Sequence, residues 1–342
     1  MTNGADRAII RHSLEGLHRS PCERRESQGE EARELGREQH MCGIAGFLYR
    51  GAGRTGPVGQ TVLRMLDVLG SRGVDGTGAA LYGVPEDGAL VLRVRLGGKG
   101  TAEEQAARIV ARADAVTLVR DAEVRHDYLR LVVDGSAAAA GAMAALVERG
   151  DAGIEVFSAG PSMEIVKQVG PARMLEKYCL TTFQGTHGIG HTRLATESRV
   201  DINHCHPFWA RPYPDLAIVH NGQITNYRKQ RRLMEMRGVT FHTDNDSEII
   251  ALYLAELLAA GATLQQAMER SIDDLDGSFT YLASTPDGIG MAKDFFASKP
   301  LVVAETDEWV AIASEERALC ETFGRALRTY QPAARGVQVW LQ

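Results

Sequence analysis

The order of helix-like and strand-like stretches indicates an α+β fold in which two packed sheets carry helices on their outer faces. In the second half of the chain, helical patterns are bracketed by short apolar runs, as expected for strands that cover a core. Between residues 84 and 178, a separate series of strand and helix patterns interrupts this organisation. The sequence therefore predicts a two-sheet body with an α+β insertion over residues 84–178.

The N-terminal segment differs in composition from the rest of the chain. Residues 23–31, with the sequence ERRESQGEE, are almost entirely charged or polar, so they offer little apolar surface for a core. We expect residues 1–41 to form a disordered tail. Residues 42–50, CGIAGFLYR, then have the apolar character of a short buried strand, and apolar spacing predicts a helix over residues 60–70. Residues 71–80, SRGVDGTGAA, have the composition of a turn.

The insertion contains five stretches in the order β-α-β-α-β. Thr101 and Glu104 have the spacing of a capping box at the start of the first helix. A further strand at residues 115–119 would complete a ferredoxin-like unit. A regulatory or docking role and a purely structural role are both open for this unit. The predicted elements are strands at 89–96, 123–133 and 153–158, and helices at 101–113 and 137–149.

From residue 188 the two-sheet pattern resumes. Residues 200–216 are a proline-containing loop, and apolar runs at 216–220 and 224–227 flank Asn221-Gly222, the strongest short signal for a hairpin turn. The other predicted elements are helices at 228–237, 247–258 and 263–272, and strands at 278–284, 288–293, 301–305, 309–314 and 337–341.

The bulk composition narrows the class of protein. The chain has 342 residues and a formal net charge of −6, which argues against non-specific binding to nucleic acid. No apolar run reaches the ~18 residues of a membrane span, and residues 1–40 lack the apolar core of a signal peptide. We therefore expect a cytoplasmic protein. The five cysteines are scattered without a CxxC pair, which disfavours disulfides and metal clusters: Cys22, Cys42, Cys179, Cys205 and Cys320.

Four segments together resemble one family. They are MCGIAGF at 41–47, GIGHTRLAT at 188–196, VHNGQITNY at 219–227 and TDNDSEII at 243–250. In this order they resemble the motifs of class II glutamine amidotransferases, which are N-terminal-nucleophile hydrolases. The resemblance implies a four-layer αββα sandwich with residues 42–342 as the amidotransferase domain. Residues 71–80 resemble the RGxDxxG loop of the same family.

The resemblance makes Cys42 the nucleophile and the first residue of the mature chain. A free α-amine titrates near ~7.7–8.0, so at neutral pH the amine of Cys42 could take the thiol proton. This requires that residues 1–41 be absent, either because translation starts at Met41 and Met41 is removed, which we favour, or because a propeptide is cleaved. Alone, Cys42 would more simply be a buried cysteine of a first strand.

The other motifs imply a site for free glutamine. By resemblance, Arg193 binds the α-carboxylate as a bidentate guanidinium, Thr196 adds a hydroxyl donor, Asp246 binds the ammonium group and His220 belongs to the substrate pocket. The Asn221 side chain and the Gly222 N–H would stabilise the oxyanion.

Each of these motifs has a simpler alternative. Arg193 could form a surface ion pair, Asn221-Gly222 a hairpin turn, and Asp246 a helix N-cap. Leu194 and the residues at 197 and 198 depart from some relatives, which affects the shape of the pocket rim. His204 and His206 are not expected to bind a metal, because two residues apart on a strand they face opposite ways.

The acceptor of the ammonia is expected on another subunit, because no acceptor domain is visible before Gln342. The insertion resembles that of the free-standing amidotransferase subunits of split glutamate synthases and N-methylglutamate synthases. This implies a separate flavin-dependent synthase subunit that carries FMN, and no cofactor or metal in this chain. The alternatives are a stand-alone γ-glutamyl amide hydrolase of the same fold and a non-catalytic module that binds glutamine.

Overall fold

A computed structural model describes residues 42–195 and 199–342. The N-terminal segment 1–41 and Thr196 lie outside the described residues. Among those described, no helix combines the length and apolar character that a membrane span requires.

The strands in chain order are β1 (Gly43–Tyr49), β2 (Gly76–Tyr82), β3 (Ala89–Leu96), β4 (Val119–Arg125), β5 (Tyr128–Asp134), β6 (Ile154–Gly160), β7 (Met163–Val169), β8 (His187–Arg193), β9 (Phe208–Trp209), β10 (Ala217–Ile224), β11 (Gly277–Thr285), β12 (Gly288–Lys293), β13 (Val302–Glu305), β14 (Trp309–Ala313), β15 (Thr329–Tyr330) and β16 (Val337–Leu341). The α-helices are α1 (Val58–Val68), α2 (Ala102–Asp114), α3 (Ala140–Glu148), α4 (Tyr227–Met236), α5 (Ser247–Ala259), α6 (Leu264–Asp274) and α7 (Glu316–Phe323).

The described strands form three antiparallel sheets. The largest has seven strands in the order β15-β13-β14-β1-β8-β2-β7, and a second has five in the order β16-β12-β11-β10-β9. These two sheets pack face to face, because one apolar cluster joins Ile44 and Leu48, on one face of β1, to Val219 of β10 and Leu282 of β11. A second cluster joins Ile218 on the opposite face of β10 to helices α5 and α6.

The sequence of β8, HGIGHTR, shows how side chains are divided between the two faces of the large sheet. Gly188 and Gly190 face α1, and a Cβ at Gly190 would lie 2.7 Å from the Leu66 side chain, so glycine permits the close approach of the helix. The alternate residues face the five-stranded sheet, where His191 reaches β10. The motif therefore serves helix packing on one face and the cavity described below on the other.

The third sheet, in the order β4-β5-β3-β6, carries helices α2 and α3 and is formed by residues of the segment 84–178. The predicted capping box is confirmed: Thr101 Oγ1 accepts from the Glu104 N–H, and the Glu104 side chain accepts from the Thr101 N–H. Glu164 of β7 binds Arg93 of β3 and Arg130 of β5 at 2.6 and 3.1 Å, and thereby fixes this sheet to the edge of the large sheet.

Parts of the predicted insertion are corrected by the structure. The strand predicted at 123–133 is two strands, β4 and β5, because the chain reverses at His126, which has a φ of 54°. The strand placed at 115–119 is wrong except at its end, since β4 begins at Val119. Within residues 84–178, Met163–Val169 belongs instead to the seven-stranded sheet, where it pairs with β2.

Asp215 connects the turn between β6 and β7 to β10, the strand that contains the residues HNG at 220–222. This buried carboxylate accepts hydrogen bonds from the N–H groups of Ser162 and Met163, at 2.9 and 3.0 Å, and from Ser162 Oγ at 2.8 Å. Ser162 lies between β6 and β7, and Asp215 lies just before β10. The turn between β6 and β7 is therefore held to the five-stranded sheet through a single side chain.

We predict that Asp215→Asn lowers the free energy of unfolding by about 1–3 kcal/mol, because the new NH₂ group replaces one acceptor oxygen and leaves one of the two backbone N–H donors without an acceptor. Urea unfolding measures the change. The matched control is Asp114→Asn at the exposed end of α2, which should leave the free energy of unfolding unchanged within error. Equal effects of the two substitutions would contradict the proposed role of Asp215.

Candidate active site

A cavity of about 490 Å³ lies where the ends of β8 and β10 meet the start of α5. It brings together six of the predicted site residues, and the seventh, Thr196, lies outside the described residues. The six that line it are Cys42, Arg193, His220, Asn221, Gly222 and Asp246.

The Cys42 thiol is enclosed beside the end of β8. The Leu194 N–H donates to Cys42 Sγ at 3.3 Å, and the thiol lies 3.6 Å from the Leu194 carbonyl oxygen. Burial raises the pKa of the Cys42 thiol above its ordinary value, although the Leu194 N–H and the positive charge of Arg193 oppose this shift. At neutral pH the group is therefore a protonated thiol, and nucleophilic chemistry there requires a base.

The backbone of Cys42 is fixed by two donors. Its carbonyl oxygen accepts from Arg72 Nε at 3.1 Å and from Asn221 Nδ2 at 2.9 Å. Arg72 is held in turn by Glu315, with 2.5 Å between Nη1 and Oε1. These contacts join three parts of the chain around one peptide group: the loop of residues 72–75 (the RGVD loop), β10 and the residues after β14.

The RGVD loop also shapes the chain after Arg193. Asp75 N–H donates to the Arg193 carbonyl oxygen at 2.9 Å, and Asp75 Oδ2 accepts from the Ala195 N–H at 2.8 Å. A Cβ at Gly73 would lie 2.5 Å from the Arg193 carbonyl carbon, so this approach requires glycine. The loop is therefore part of the cavity wall and more than a surface turn.

Arg193 is the last residue of β8 and is only 5% exposed. The alternative of a surface arginine is wrong, because the alternation of β8 directs this side chain toward the five-stranded sheet and the cavity.

Asn221 and Gly222 lie inside β10, so the alternative of a hairpin turn at this position is wrong. Both residues pair with β11, and Gly222 pairs with Phe279. Gly222 has a φ of 129°, and a Cβ there would lie 2.0 Å from the Ser278 carbonyl oxygen. Glycine lets the strand continue through a backbone conformation that L side chains rarely adopt, which explains why the Asn-Gly pair does not end it.

Asp246 occupies the N-cap position of α5 but makes no capping hydrogen bond with its side chain. Its Oδ2 accepts from the Ile224 N–H at 2.9 Å, and Asn245 Oδ1 accepts from the Ser247 N–H instead. Asp246 Oδ1 lies 3.9 Å from His220 Nδ1. The carboxylate of Asp246 therefore belongs to the cavity. The alternative of a helix N-cap explains where Asp246 lies in the chain, but its side chain does not cap the helix.

Three buried histidines surround the cavity floor. His206 Nδ1 accepts from the His220 N–H at 3.1 Å, and Ser247 Oγ lies 3.3 Å from His206 Nε2 and 2.9 Å from His220 Nδ1. His191 Nε2 lies 2.9 Å from Asn221 Oδ1. Burial lowers the pKa of each of these rings, that of His191 to about 3, so all three are neutral at physiological pH.

His204 lies outside this group. Its Nδ1 contacts Asp201 at 2.7 Å and its Nε2 lies 3.2 Å from Asp244. Among residues 42–195 and 199–342, no group of three or more His, Cys, Asp or Glu side chains is arranged to hold a metal ion.

Several residues around the cavity were not singled out from the sequence. The hydroxyl of Ser247, the imidazole of His191 and the Leu194 N–H contact predicted site residues, and Ser314 Oγ accepts from the Ile44 N–H at 2.9 Å and lies 3.5 Å from Asn221 Nδ2. His191 and Ser247 lie within the resembling motifs, directly beside residues that were chosen. Strand alternation in GHTR was the signal that could have identified His191 as facing the same side as Arg193.

The arrangement suits a small zwitterion. A guanidinium and a carboxylate line one cavity with a thiol, so the two charged ends of an amino acid could be bound while its side chain reaches Cys42. The amide NH₂ of Asn221 lies beside Cys42, where it could donate to a carbonyl oxygen that develops negative charge.

Comparison with known proteins agrees with this chemistry. Residues 191–321 match the family described as "Glutamine amidotransferase domain". A protein of Methanothermobacter thermautotrophicus whose name assigns it to the glutamine amidotransferases is 38% identical over 288 residues, covering 82% of this chain and 93% of that protein. The glutamine amidotransferase-like protein GlxB of Rhizobium meliloti is 34% identical over 302 residues, covering 88% of this chain and 98% of that protein.

A solved structure shares the fold. The glutamine phosphoribosylpyrophosphate amidotransferase from B. subtilis, complexed with ADP and GMP, aligns with a TM-score of 0.54 at 17% sequence identity. The alignment covers 88% of this chain and 49% of that one, so the chain spans about half the length of this structural relative.

Proposed function

The chain belongs to the glutamine amidotransferase family, and from this premise we propose that it hydrolyses L-glutamine to glutamate and ammonia with Cys42 as the nucleophile. The observation that carries the proposal is the shared cavity, in which the Cys42 thiol lies with Arg193, Asp246 and the Asn221 amide. This combination supplies a nucleophile, an oxyanion donor and both charge partners of a free amino acid.

The base of the reaction is the α-amine of Cys42. Because burial raises the pKa of the thiol, the thiol needs a nearby base, and a free α-amine titrates near ~7.7–8.0. While Met41 is attached, the Cys42 nitrogen is an amide and cannot serve. The active form therefore begins at Cys42, either because Met41 is the removed initiator or because the preceding residues are cleaved.

The proton and bond changes balance within the site. The amine takes the thiol proton, the thiolate attacks the side-chain amide carbon, and the resulting ammonium protonates the departing nitrogen as ammonia leaves. Water, deprotonated by the amine, then attacks the γ-glutamyl thioester, so that glutamate is released and the thiol is regenerated. The Asn221 side chain and the Gly222 N–H hold the oxyanion in both steps, each contribution being roughly 3–4 kcal/mol.

Binding of the substrate uses its two charged ends. Arg193 takes the α-carboxylate, Asp246 takes the ammonium group, and Thr196 adds a hydroxyl donor. His220 Nδ1 faces Ser247 Oγ, and its buried Nε2 has no hydrogen-bond partner among the described residues, so Nε2 can donate to the substrate.

We extend the proposal to the architecture. The order of helices, two facing sheets and helices is consistent with the four-layer αββα sandwich of N-terminal-nucleophile hydrolases over residues 42–342. The βαββαβ order and the β4-β5-β3-β6 arrangement support a ferredoxin-like insertion within residues 84–178.

The ammonia acceptor is proposed to be a separate flavin-dependent synthase subunit of the glutamate synthase type. Support comes from the two sequence relatives, which are matched over 93% and 98% of their own lengths and so have little room for an acceptor domain. In this proposal FMN resides in the partner, and this chain carries no cofactor. A stand-alone amide hydrolase and a glutamine-binding module are the alternatives that the following experiments address.

The maturation prediction concerns Cys42. A chain that begins at Cys42 should hydrolyse glutamine with a rate that rises as the α-amine loses its proton near pH ~7.7–8.0, whereas a chain that retains residues 1–41 should be inactive.

Cys42→Ala should abolish hydrolysis, with Cys205→Ser as the matched buried control. A glutamine-analogue electrophile, located by peptide mass mapping, should label Cys42. Full activity of the longer chain, or labelling of another cysteine, would refute the mechanism.

Substitutions in the cavity should separate binding from chemistry. Arg193→Lys and Asp246→Asn should mainly raise KM for glutamine, because each weakens a contact made before the reaction. Asn221→Ala should mainly lower kcat, by about a hundredfold to a thousandfold, because the oxyanion exists only near the transition state. Asn226→Ala, in the same motif but directed toward Asp274, is the control and should leave both constants unchanged. An unchanged kcat in Asn221→Ala would exclude the oxyanion role.

The partner prediction concerns regulation of the rate. An isolated chain should hydrolyse glutamine slowly, and addition of the synthase subunit with 2-oxoglutarate should accelerate it, because uncoupled hydrolysis wastes glutamine. We expect the contact near the loops of residues 72–78 and 200–214, which adjoin the cavity. Glutaminase assays and size exclusion test this. Equal rates without a complex would favour the stand-alone hydrolase, and absence of turnover in every form would favour the binding module.

A further inference from the structure

His191 lines the same cavity as Cys42 and contacts the Asn221 side chain. It is 1% exposed, it belongs to β8, and its Nε2 lies 2.9 Å from Asn221 Oδ1. Its ring stacks on that of His206 with 4.2 Å between centroids and 17° between planes. The stacking and the hydrogen bond together fix both the plane and the rotation of the imidazole.

The contacts determine which way the Asn221 amide points. Asn221 Nδ2 lies 2.9 Å from the Cys42 carbonyl oxygen, which can only accept, so the NH₂ group must be on that side. Asn221 Oδ1 then faces His191, and His191 Nε2 must carry a hydrogen to donate. Burial lowers the pKa of His191 to about 3, so the ring is neutral and Nδ1 is unprotonated.

Without the donor on His191, Asn221 Oδ1 loses its partner, and only the Cys42 carbonyl oxygen still opposes the alternative orientation of the amide. A rotation of the Asn221 amide by half a turn would place its oxygen against the Cys42 carbonyl oxygen and remove the NH₂ group from the nucleophile. An amide oxygen in that place would repel the oxyanion rather than stabilise it. The orientation of one amide therefore decides whether the site can stabilise negative charge.

We propose that His191 is a positioning residue for glutamine hydrolysis, whose Nε2–H holds Asn221 with its NH₂ group toward Cys42. The proposal rests on the function proposed above and adds to it the group that orients the oxyanion donor. His191 acts through Asn221 and has no direct role in proton transfer.

The chain offers a closely matched control residue. His187 lies on the same strand and faces the same side, it is fully buried, and its ring stacks on Tyr82 at 4.2 Å. Its Nε2 contacts the Thr285 carbonyl oxygen at 2.8 Å and makes no contact with Asn221. Burial lowers its pKa also to about 3. His187 Nδ1 also contacts Thr186 Oγ1 at 2.8 Å and Gln342 Nε2 at 3.0 Å, so replacing this ring removes more hydrogen bonds than replacing His191. Only His191 adjoins the cavity.

Kinetics of chains that begin at Cys42 test the proposal. His191→Phe keeps the stacked ring but loses the donor, and should lower kcat about 10- to 100-fold, less than full removal of an oxyanion donor, with KM changed less than twofold. His191→Gln, whose amide N–H can occupy the Nε2 position, should restore most of kcat. His187→Phe should leave kcat unchanged. A wild-type kcat in His191→Phe, or an equal loss in His187→Phe, would overturn the proposal.

A double mutant separates positioning from a general structural effect. Because His191 acts through Asn221, His191→Phe should cost little further kcat once Asn221→Ala is present. If the two losses multiply, His191 acts independently of Asn221 and the proposal is wrong.

The tautomer gives a readout that does not depend on activity or on variants that fold poorly. Nitrogen-15 NMR of the wild-type chain should show His191 neutral, with hydrogen on Nε2 and a lone pair on Nδ1. The opposite tautomer would overturn the proposal even if the enzyme is active. If the proposed glutaminase activity itself were wrong, the wild-type chain that begins at Cys42 would not hydrolyse glutamine, whatever the tautomer of His191.

Discussion

The hydrogen bonds of Asn221 join the two facing sheets at the point where the cavity opens. Its amide nitrogen binds the carbonyl oxygen of Cys42 at the start of β1, and its amide oxygen faces His191 on β8. Asn221 itself belongs to β10, in the other sheet. The geometry of the cavity therefore depends on how the sheets pack, because alternate residues of β8 and β10 must face each other in register for one side chain to satisfy both partners.

Enclosure of the thiol sets the chemical requirement of the site. Burial disfavours the thiolate, so the environment of Cys42 protects the thiol from ionisation at the same time as it places it beside charged groups. In the proposed mechanism, the α-amine of Cys42 is a base within the same residue, so it meets this requirement without another ionisable side chain in the cavity. The neutral histidines agree with this division of roles, since their burial keeps them as hydrogen-bonding groups rather than as proton carriers.

Much of the fold followed from local patterns, whereas the site depended on long-range packing. The capping box at Thr101 and the strands Ala89–Leu96, Gly288–Lys293 and Val337–Leu341 were predicted because short-range spacing determines them. The Asn-Gly pair left a hairpin turn open as an alternative, because the two residue types do not reveal that pairing with β11 and a positive φ at Gly222 hold them within a strand. The reversal at His126 was missed because strand-like alternation continues on both sides of it. The contacts of His191 could not be predicted, since they depend on a residue 30 positions away in another sheet.

The clamp of Glu164 between Arg93 and Arg130 has a consequence for shortened versions of this protein. Strand β7 is the last strand of the large sheet, and the third sheet packs beside it through this buried carboxylate. Removing only the third sheet, β3 to β6, to obtain a minimal domain would leave Glu164 as an unpaired buried charge and β7 as an uncovered strand edge. Such an edge is a template for pairing with other chains, so trimming would favour aggregation unless Glu164 and the outer residues of β7 were redesigned together.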